Sequence, residues 1–180
     1  MKVTVKTQGL DKLEKELVSF EKNATQSLDQ IIKSTAVFCV GEAKKNISQP
    51  YPEGARDTGQ LKNNITYERA PQQEGITYRV GTNVVHAPFI EFGTRPHHPP
   101  LGNESKGLIR WVLRHMNAAR GKTPVFGKVK KQYRLMVASW IAYSIAWKIA
   151  HYGTPPRPYM RPAFIKAKQK LLQDLEAKYK

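Results

Sequence analysis

Apolar residues recur at intervals of three and four positions near the start of the chain. They include Leu10, Leu13, Leu17, Phe20, Ala24, Leu28, Ile31 and Phe38. This spacing predicts one amphipathic helix over residues 10–47, with Gly41 as a place where it could bend. At 1.5 Å per residue the helix would be roughly 55 Å long, whereas a compact body of this chain length is only about 40 Å across. We therefore expect a neighbouring copy to cover part of its apolar face.

Two later segments alternate apolar and polar residues, and both contain the tripeptide Ile-Thr-Tyr, at 65–67 and 76–78. They predict two antiparallel strands. Their shared face would hold Ile65, Tyr67, Ile76, Tyr78 and Val80. A third strand is predicted at residues 84–92, where Pro88 removes a backbone donor and favours the edge of a sheet. Such an edge could accept a partner strand.

The second half of the chain predicts three more helices, at about 108–116, 132–151 and 163–180. The most apolar stretch, residues 135–150, is shorter than a bilayer span and contains Lys148. We interpret it as a buried or oligomer-facing helix, with a membrane segment as the alternative. The predicted fold class is α+β, with a long N-terminal helix, a small antiparallel β-meander and additional C-terminal helices.

The net charge of the chain indicates more about its partners than the overall composition does. The 180 residues predict one domain, and 30 Lys+Arg against 14 Asp+Glu give a net charge of +16. Such a charge attracts nucleic acid, acidic proteins or anionic surfaces but does not determine the fold. The single cysteine, Cys39, excludes an internal disulfide and is expected to pack as a small apolar residue.

The segment from 110 to 131 is basic and contains no carboxylate. We interpret four of its lysines as contacts for DNA or for an acidic partner, with a solvated surface as the alternative. They are Lys122, Lys128, Lys130 and Lys131. Trp111, Phe126 and Tyr133 lie nearby in sequence and could stack on bases, but no base-reading motif accompanies them, so sequence-specific recognition is disfavoured.

No catalytic arrangement stands out. The five histidines are scattered, and the adjacent pair His97 and His98 lies in a proline-rich loop without an acid or a cysteine at ligand spacing. Nucleophile, metalloprotease, phosphate-loop and paired-cysteine motifs are missing, and no carboxylate lies between Glu104 and Asp174. We predict a protein that is not an enzyme and has no cofactor. A metal hydrolase that uses the histidines is an alternative.

One signature occurs twice, as EFGTRP at 91–96 and as HYGTPPRP at 151–158. Each copy places an aromatic residue before Gly-Thr and proline after it. Glycine permits backbone conformations closed to other residues, and proline fixes the exit direction. Each copy therefore predicts a sharp corner where a strand or helix ends, and an isolated turn is the simpler interpretation of either.

Four motifs taken together resemble the tail-completion, or head-tail joining, family of tailed bacteriophages. They are DTGQLKNNI at 57–65, VGTN at 80–83, APFIEFGT at 87–94 and RPYMRPA at 157–163. The family carries TG-x-L-x-x-S-I, VGT, AP-aromatic-x-EFGT and RPF-x-RPA. Asn64 departs from the usual serine, and a long segment separates EFGT from RPYMRPA, which short members connect almost directly. The resemblance implies a single domain over residues 1–180 with a helical insertion at about 97–150.

The resemblance implies a structural protein of the phage neck. Such a protein would assemble as a ring, expected to be a hexamer, and would be made in the host cytoplasm and reside in the virion. Its partners would be a head-completion or connector protein on one side and a tail terminator or tail tube protein on the other. Double-stranded DNA would pass through the ring, and no membrane would be involved. The alternative function is a stand-alone, basic, non-specific nucleic-acid-binding protein.

The same resemblance makes the loop at 48–59 and the two Gly-Thr corners candidate docking surfaces. Phe89, Phe92, Tyr159 and Met160 would be apolar anchors of a subunit or partner interface. Arg95, Arg157 and Arg161 would pair with carboxylates across subunits. The interface would also include Glu91, Gly93 and Thr94.

Overall fold

The computed structural model describes residues 9–49, 59–71, 75–103, 106–118 and 133–179. The elements in these ranges are α1 (Leu10–Ile47), α2 (Gln60–Asn63), β1 (Ile65–Arg69), β2 (Tyr78–Thr82), α3 (Ala87–Phe92), α4 (Gly107–Ala118), α5 (Arg134–Tyr152) and α6 (Met160–Tyr179). The α+β class is confirmed, with a long N-terminal helix, a small antiparallel sheet and C-terminal helices.

The chain divides into two compact units. Unit 1 consists of residues 1–87 and 158–180, and unit 2 consists of residues 88–157. The helical insertion expected at 97–150 falls within unit 2. A single domain over the whole chain stays a prediction.

Unit 1 is built on α1, which runs without interruption through Gly41. Its buried residues lie at intervals of three and four positions, and they are Ala36, Cys39, Ala43 and Ile47. α6 packs along α1 and buries Ala163 and Ala167, one helical turn apart. Because these side chains are small, the two helix backbones can approach closely. Cys39 is a packing residue, as expected, and burial raises the pKa of its thiol.

Polar contacts fix the position of α6 on α1. Asn46 Nδ2 donates to the backbone oxygen of Tyr159 at 2.9 Å. Lys166 Nζ lies 2.5 Å from Glu42 Oε2. Each contact joins a residue in the second half of α1 to the start of α6, so the two helices are held in one axial register.

The pair formed by Glu42 and Lys166 predicts an acid-sensitive contribution to stability. The hydrogen bond from Lys166 holds the pKa of Glu42 below its usual 4.5. Because the folded-state pKa is depressed, the contribution is present above the unfolded-state value and is lost as the pH falls through the folded-state pKa. We expect Glu42→Gln to lower the Tm at neutral pH and to flatten the fall in Tm on acidification from about pH 5.

The control for this prediction is Glu176→Gln, which removes an exposed carboxylate elsewhere on α6. It should leave the dependence of Tm on pH almost unchanged. If the curves of Tm against pH are parallel for the wild type and Glu42→Gln, the ion pair contributes nothing measurable to the pH dependence of stability.

β1 and β2 form an antiparallel pair. The register sets Ile65 opposite Thr82, Tyr67 opposite Val80 and Arg69 opposite Tyr78. Ile65, Tyr67, Tyr78 and Val80 therefore share one face, as predicted, whereas Ile76 precedes β2. Ile65 is fully buried in the core of unit 1, whereas Tyr78 and Val80 are half-buried and Tyr67 is exposed, so only the start of β1 reaches the core.

One carboxylate of α1 holds the strand pair. Asp29 Oδ1 accepts a hydrogen bond from Tyr78 Oη at 3.1 Å and lies 3.4 Å from Arg69 Nη2. Burial, together with the hydrogen bond to Asp29, raises the pKa of Tyr78 because both favour the neutral phenol. The strands are thereby fixed against the middle of α1.

The predicted third strand is wrong. Residues 87–92 form α3, and the sheet has two strands within the described residues. Ala87 N–H donates to the Val84 oxygen at 3.0 Å and begins the helix. Pro88 then lies in the first helical turn, where its missing N–H costs no hydrogen bond. The partner-accepting edge assigned to this segment is therefore also wrong.

The core of unit 2 lies between α4 and α5. Val112 and Met116 of α4 pack with Ala138 and Ala142 of α5. Leu108, Ile109, Leu113, Val137, Ile141 and Ile145 surround this cluster and are partly buried. The helices predicted at about 108–116 and 132–151 are confirmed. None of the helices in the described ranges has the length and apolarity needed to cross a bilayer.

Candidate assembly surface

The two Gly-Thr corners meet in unit 2. Gly93 follows α3 with φ of 74°, and Gly153 follows α5 with φ of 71°. Thr94 and Thr154 form an antiparallel bridge. Thr94 N–H donates to the Thr154 carbonyl oxygen at 3.1 Å. Thr154 N–H donates to Thr94 Oγ1 at 3.0 Å, and the two hydroxyl oxygens are 2.9 Å apart. The repeated motif thus joins the ends of α3 and α5.

A further backbone hydrogen bond closes the same region. Arg157 N–H donates to the Ile90 oxygen in α3 at 2.8 Å. The segments that follow α3 and α5 are therefore bound at more than one point. This arrangement positions the aromatic residues of α3 next to a rigid corner.

The hydroxyl of Thr94 is expected to contribute to the stability of this bridge. Thr94→Val keeps the side-chain shape but removes the acceptor of the Thr154 N–H, so we expect a loss of about 1–2 kcal/mol in the free energy of unfolding. Thr94→Ser is the matched control because it retains the oxygen. Urea denaturation followed by tryptophan fluorescence measures both variants. Equal urea midpoints for Thr94→Val and Thr94→Ser would contradict the role assigned to the Thr94 hydroxyl.

The predicted interface residues fall into both units. Phe89, Phe92 and Arg95 are exposed in unit 2, and Phe92 has 77% of its surface accessible. Glu91 and Arg157 are half-buried, and each makes polar contacts within the chain.

The three predicted residues of the RPYMRPA motif that lie in unit 1 have different surroundings. Tyr159 is only 4% exposed, so its side chain belongs to the core, and its backbone oxygen accepts the bond from Asn46. Met160 is half-buried at the start of α6, and Arg161 is exposed beside it. The side chain of Tyr159 therefore packs inside unit 1, and its assignment as an apolar anchor stays a prediction.

The basic candidates lie outside the described residues. Lys122, Lys128, Lys130 and Lys131 all belong to the segment 119–132 between α4 and α5. Most of the loop at 48–59 lies outside as well. The contact role of the four lysines and the docking role of the loop therefore stay predictions.

Among the described residues, two apolar helix faces are largely exposed, one in each unit. The first, which we call the α1 seam, consists of Leu10, Leu13, Leu17, Phe20 and Ala24. Its large residues are more than half exposed, and Phe20 reaches 71%. The second, the α5 aromatic face, consists of Tyr133, Met136, Trp140, Tyr143 and Trp147. Trp140 is 75% exposed. Contiguous exposed apolar surface of this extent is typical of protein interaction sites.

The α5 aromatic face borders an apolar groove of about 560 Å³. Met136, Trp140 and Tyr143 form one side of it, and Leu101 and Ile109 form the other. Large side chains over a groove allow a partner helix to insert its own apolar residues.

The imidazoles of His97, His115 and His151 form hydrogen bonds with backbone oxygens. His115 Nδ1 lies 2.9 Å from the Trp111 oxygen, and His151 Nδ1 lies 2.8 Å from the Trp147 oxygen. The imidazoles of His115 and His151 also stack on the indoles four residues earlier, with ring centroids 4.0 and 4.2 Å apart. Within the described ranges, no three His, Cys, Asp or Glu residues are grouped as metal ligands.

The motif that contains Gly59 is structural in this chain. Gly59 has φ of 83° and precedes α2. Leu61 in α2 and Ile65 in β1 are buried, so the motif turns the chain from α1 into the strand pair.

Comparison with known families supports the phage interpretation. Residues 11–93 match the family model described as "Bacteriophage HK97-gp10, putative tail-component". This segment is therefore similar to an HK97-gp10-like domain. The match runs from α1 to Gly93 and therefore includes two of the four motifs that carry the phage resemblance, together with all but the last residue of the third. No curated protein and no solved structure matches the chain.

The HK97-gp10-like domain supports a structural component of a phage tail and a place in the virion. It ends at the first Gly-Thr corner, so most of unit 2 and all of α6 lie beyond the matched range. The resemblance to the tail-completion family is confirmed over residues 11–93.

Sequence reasoning interpreted residues 135–150 as a buried or oligomer-facing helix but missed two details of the surface. The first is which residues form the α5 aromatic face, although alternating intervals of three and four residues between Tyr133 and Trp147 signal it. The second is the direct pairing of Thr94 with Thr154. The repeated Gly-Thr signature pointed to both corners but not to their contact, because a local motif carries no information about distant partners.

Proposed function

We propose that the protein is a neck component that assembles from identical copies into a ring, expected to be a hexamer. The ring joins a head-completion or connector protein to the tail terminator or tail tube protein and lets double-stranded DNA pass. The observation that carries this proposal is the match of residues 11–93 to a phage tail-component family.

Ring assembly needs two different surfaces that fit each other, because a head-to-tail contact between identical copies joins unlike patches. The α1 seam and the α5 aromatic face are two such patches, and both are uncovered. Phe89 and Phe92 add a third apolar site, beside the rigid Gly-Thr corners. Arg95, Arg157 and Arg161 are the proposed partners for carboxylates of neighbouring proteins.

The charge supports contact with DNA or with an acidic partner. Residues 88–157 contain 12 Lys+Arg and 2 Asp+Glu, so this segment alone carries 12 − 2 = +10 of the total +16. Lys122, Lys128, Lys130 and Lys131 are the proposed contacts. DNA that passes through a ring needs contacts without base recognition, and phosphate-directed lysines provide them. In this role the protein needs neither catalysis nor a cofactor.

The oligomeric state tests the proposal. Native mass spectrometry at micromolar concentration should show one closed oligomer, and electron microscopy of the same sample should show rings. Tagged protein added to heads and tails that lack it should be incorporated at their junction. A monomer at every concentration, with no incorporation beside intact heads and tails, would overturn the proposal.

The concentration of charge in residues 88–157 favours one second candidate, a stand-alone non-specific nucleic-acid-binding protein. That function requires tight DNA binding by the monomer, with an affinity that falls steeply as salt is raised. Fluorescence anisotropy with a random DNA duplex at several salt concentrations distinguishes the two. Neutralising Lys128, Lys130 and Lys131 would reduce the salt slope by about 3 if each lysine contacts one phosphate.

A further inference from the structure

The α1 seam follows the spacing of a coiled-coil helix. Its residues Leu10, Leu13, Leu17, Phe20 and Ala24 are separated by intervals of 3, 4, 3 and 4 positions. This alternation places all of them on one narrow stripe, which is the stripe that a second helix covers in a coiled coil. In unit 1 the buried residues of α1 begin only at Ala36, so the seam has no covering helix among the described residues of that unit.

The α5 aromatic face has the same spacing. Tyr133, Met136, Trp140, Tyr143 and Trp147 are also separated by 3, 4, 3 and 4 positions. The opposite side of α5 buries Ala138 and Ala142 against α4. α5 thus packs on its own unit through small residues and presents its large aromatic residues outward.

The two stripes match in length. The α1 seam spans residues 10–24 and the α5 aromatic face spans residues 133–147, so each covers 15 residues. At 1.5 Å per residue each is about 22 Å long. One stripe can therefore cover the other from end to end.

Charge determines which stripes can pair. Glu14, Glu16 and Glu21 occupy the positions that flank the α1 seam, whereas Lys12, Lys15 and Lys22 lie away from it. α5 carries Arg134 and Lys148 and contains no carboxylate, and α4, which packs against it, also contains none. Two α1 seams would bring their flanking glutamates together, whereas the residues that flank the α5 aromatic face, Val137, Ser139, Ser144 and Ala146, are uncharged. Pairing α1 with α5 avoids that repulsion and sets the glutamates against helices whose charged side chains are all cationic.

We propose that the α1 seam of one copy packs on the α5 aromatic face of a neighbouring copy. This inference rests on the proposed function, because it assumes that identical copies assemble. The leucines and Phe20 enter the groove beside Trp140 and Tyr143, and the flanking glutamates face the cations of α4 and α5. Because the two surfaces differ, the contact is head-to-tail and continues from copy to copy until a ring closes.

Cross-linking between separately labelled chains tests the pairing. One chain carries Leu17→Cys, the other carries Trp140→Cys and a larger tag, and both carry Cys39→Ala to remove the native thiol. The chains are mixed, allowed to assemble and treated with a short bis-maleimide. We expect the mixed species to dominate and to exceed by at least tenfold the yield obtained with Ser19→Cys in place of Leu17→Cys. Ser19 is exposed on the side of α1 away from the seam.

Products that join two Leu17→Cys chains or two Trp140→Cys chains in place of the mixed species would overturn the pairing. So would oligomers that form without any cross-link between the two positions. Because the two thiols lie on different chains, contact within one chain cannot produce the expected species.

Charge reversal separates failure of the pairing from failure of the proposed function. The triple variant Glu14→Lys, Glu16→Lys and Glu21→Lys should weaken self-association at least tenfold in sedimentation velocity, with the helical circular dichroism retained. Lys15→Glu with Lys22→Glu is the control on the outer side of α1. If the triple variant assembles like the wild type, the pairing of the α1 seam with the α5 aromatic face is wrong, but the proposed ring is not contradicted. If the wild type itself never assembles, the proposed function fails.

Discussion

Gly153→Ala is expected to lower the free energy of unfolding of unit 2 by about 4 kcal/mol. Gly153 has φ of 71° and ψ of −162°, a combination that residues with a Cβ rarely adopt. A Cβ at this position would also overlap the carbonyl oxygen of Thr94, which is a backbone atom held in the bridge to Thr154. The added Cβ and the Thr94 oxygen both belong to the paired corners. Neither atom can therefore move away without breaking the bridge between Thr94 and Thr154.

Tryptophan fluorescence during urea denaturation is a suitable measurement, since all three tryptophans of the chain, Trp111, Trp140 and Trp147, lie in unit 2. Gly41→Ala is the matched control. Gly41 lies within α1 with open space around it, so alanine there should stabilise the protein by about 1 kcal/mol. An unchanged urea midpoint for Gly153→Ala would show that the corners do not constrain the backbone as described.

Ala43→Leu should lower the stability of unit 1 by about 3 kcal/mol. Ala43 is fully buried in the half of α1 that packs along α6. A leucine adds three carbon atoms to this closely packed region, so neighbouring elements must shift or side chains must adopt strained rotamers.

Ala177→Leu provides the comparison, because Ala177 is exposed near the end of α6 and leucine has a similar helix propensity. We expect its effect to remain within about 0.5 kcal/mol. Thermal unfolding followed by far-ultraviolet circular dichroism measures both variants. A Tm for Ala43→Leu equal to that of Ala177→Leu would contradict close packing around Ala43.

Periodic segments could be predicted from the sequence because their spacing alone specifies them. The intervals of three and four residues gave α1, α4, α5 and α6, and the repeated Ile-Thr-Tyr gave the pairing of β1 with β2. The short segment at 84–92 could not be assigned correctly, because its nine residues are too few to show a clear period and Pro88 is compatible both with an edge strand and with a first helical turn. In the structure the Ala87 N–H donates to the Val84 oxygen, and this hydrogen bond begins a helix and not a strand.

The candidate site was harder to predict than the fold. The exposure of Phe92 agrees with an anchor on a surface, whereas the burial of Tyr159 does not. Both are aromatic residues in proline-containing motifs, so their local sequence does not distinguish them. The difference arises from α1, which covers the start of α6 and carries Asn46 to the backbone of Tyr159. Contacts between residues more than one hundred positions apart are invisible to a local pattern.

The bridge between Thr94 and Thr154 means that the intervening residues leave and re-enter the fold at a single point. A segment whose two ends are already tied together imposes little strain on its surroundings, and its entropic cost rises only slowly with its length. The stretch from 95 to 153, which contains α4 and α5, is therefore expected to tolerate changes in its length with little change in the path of the chain at the bridge.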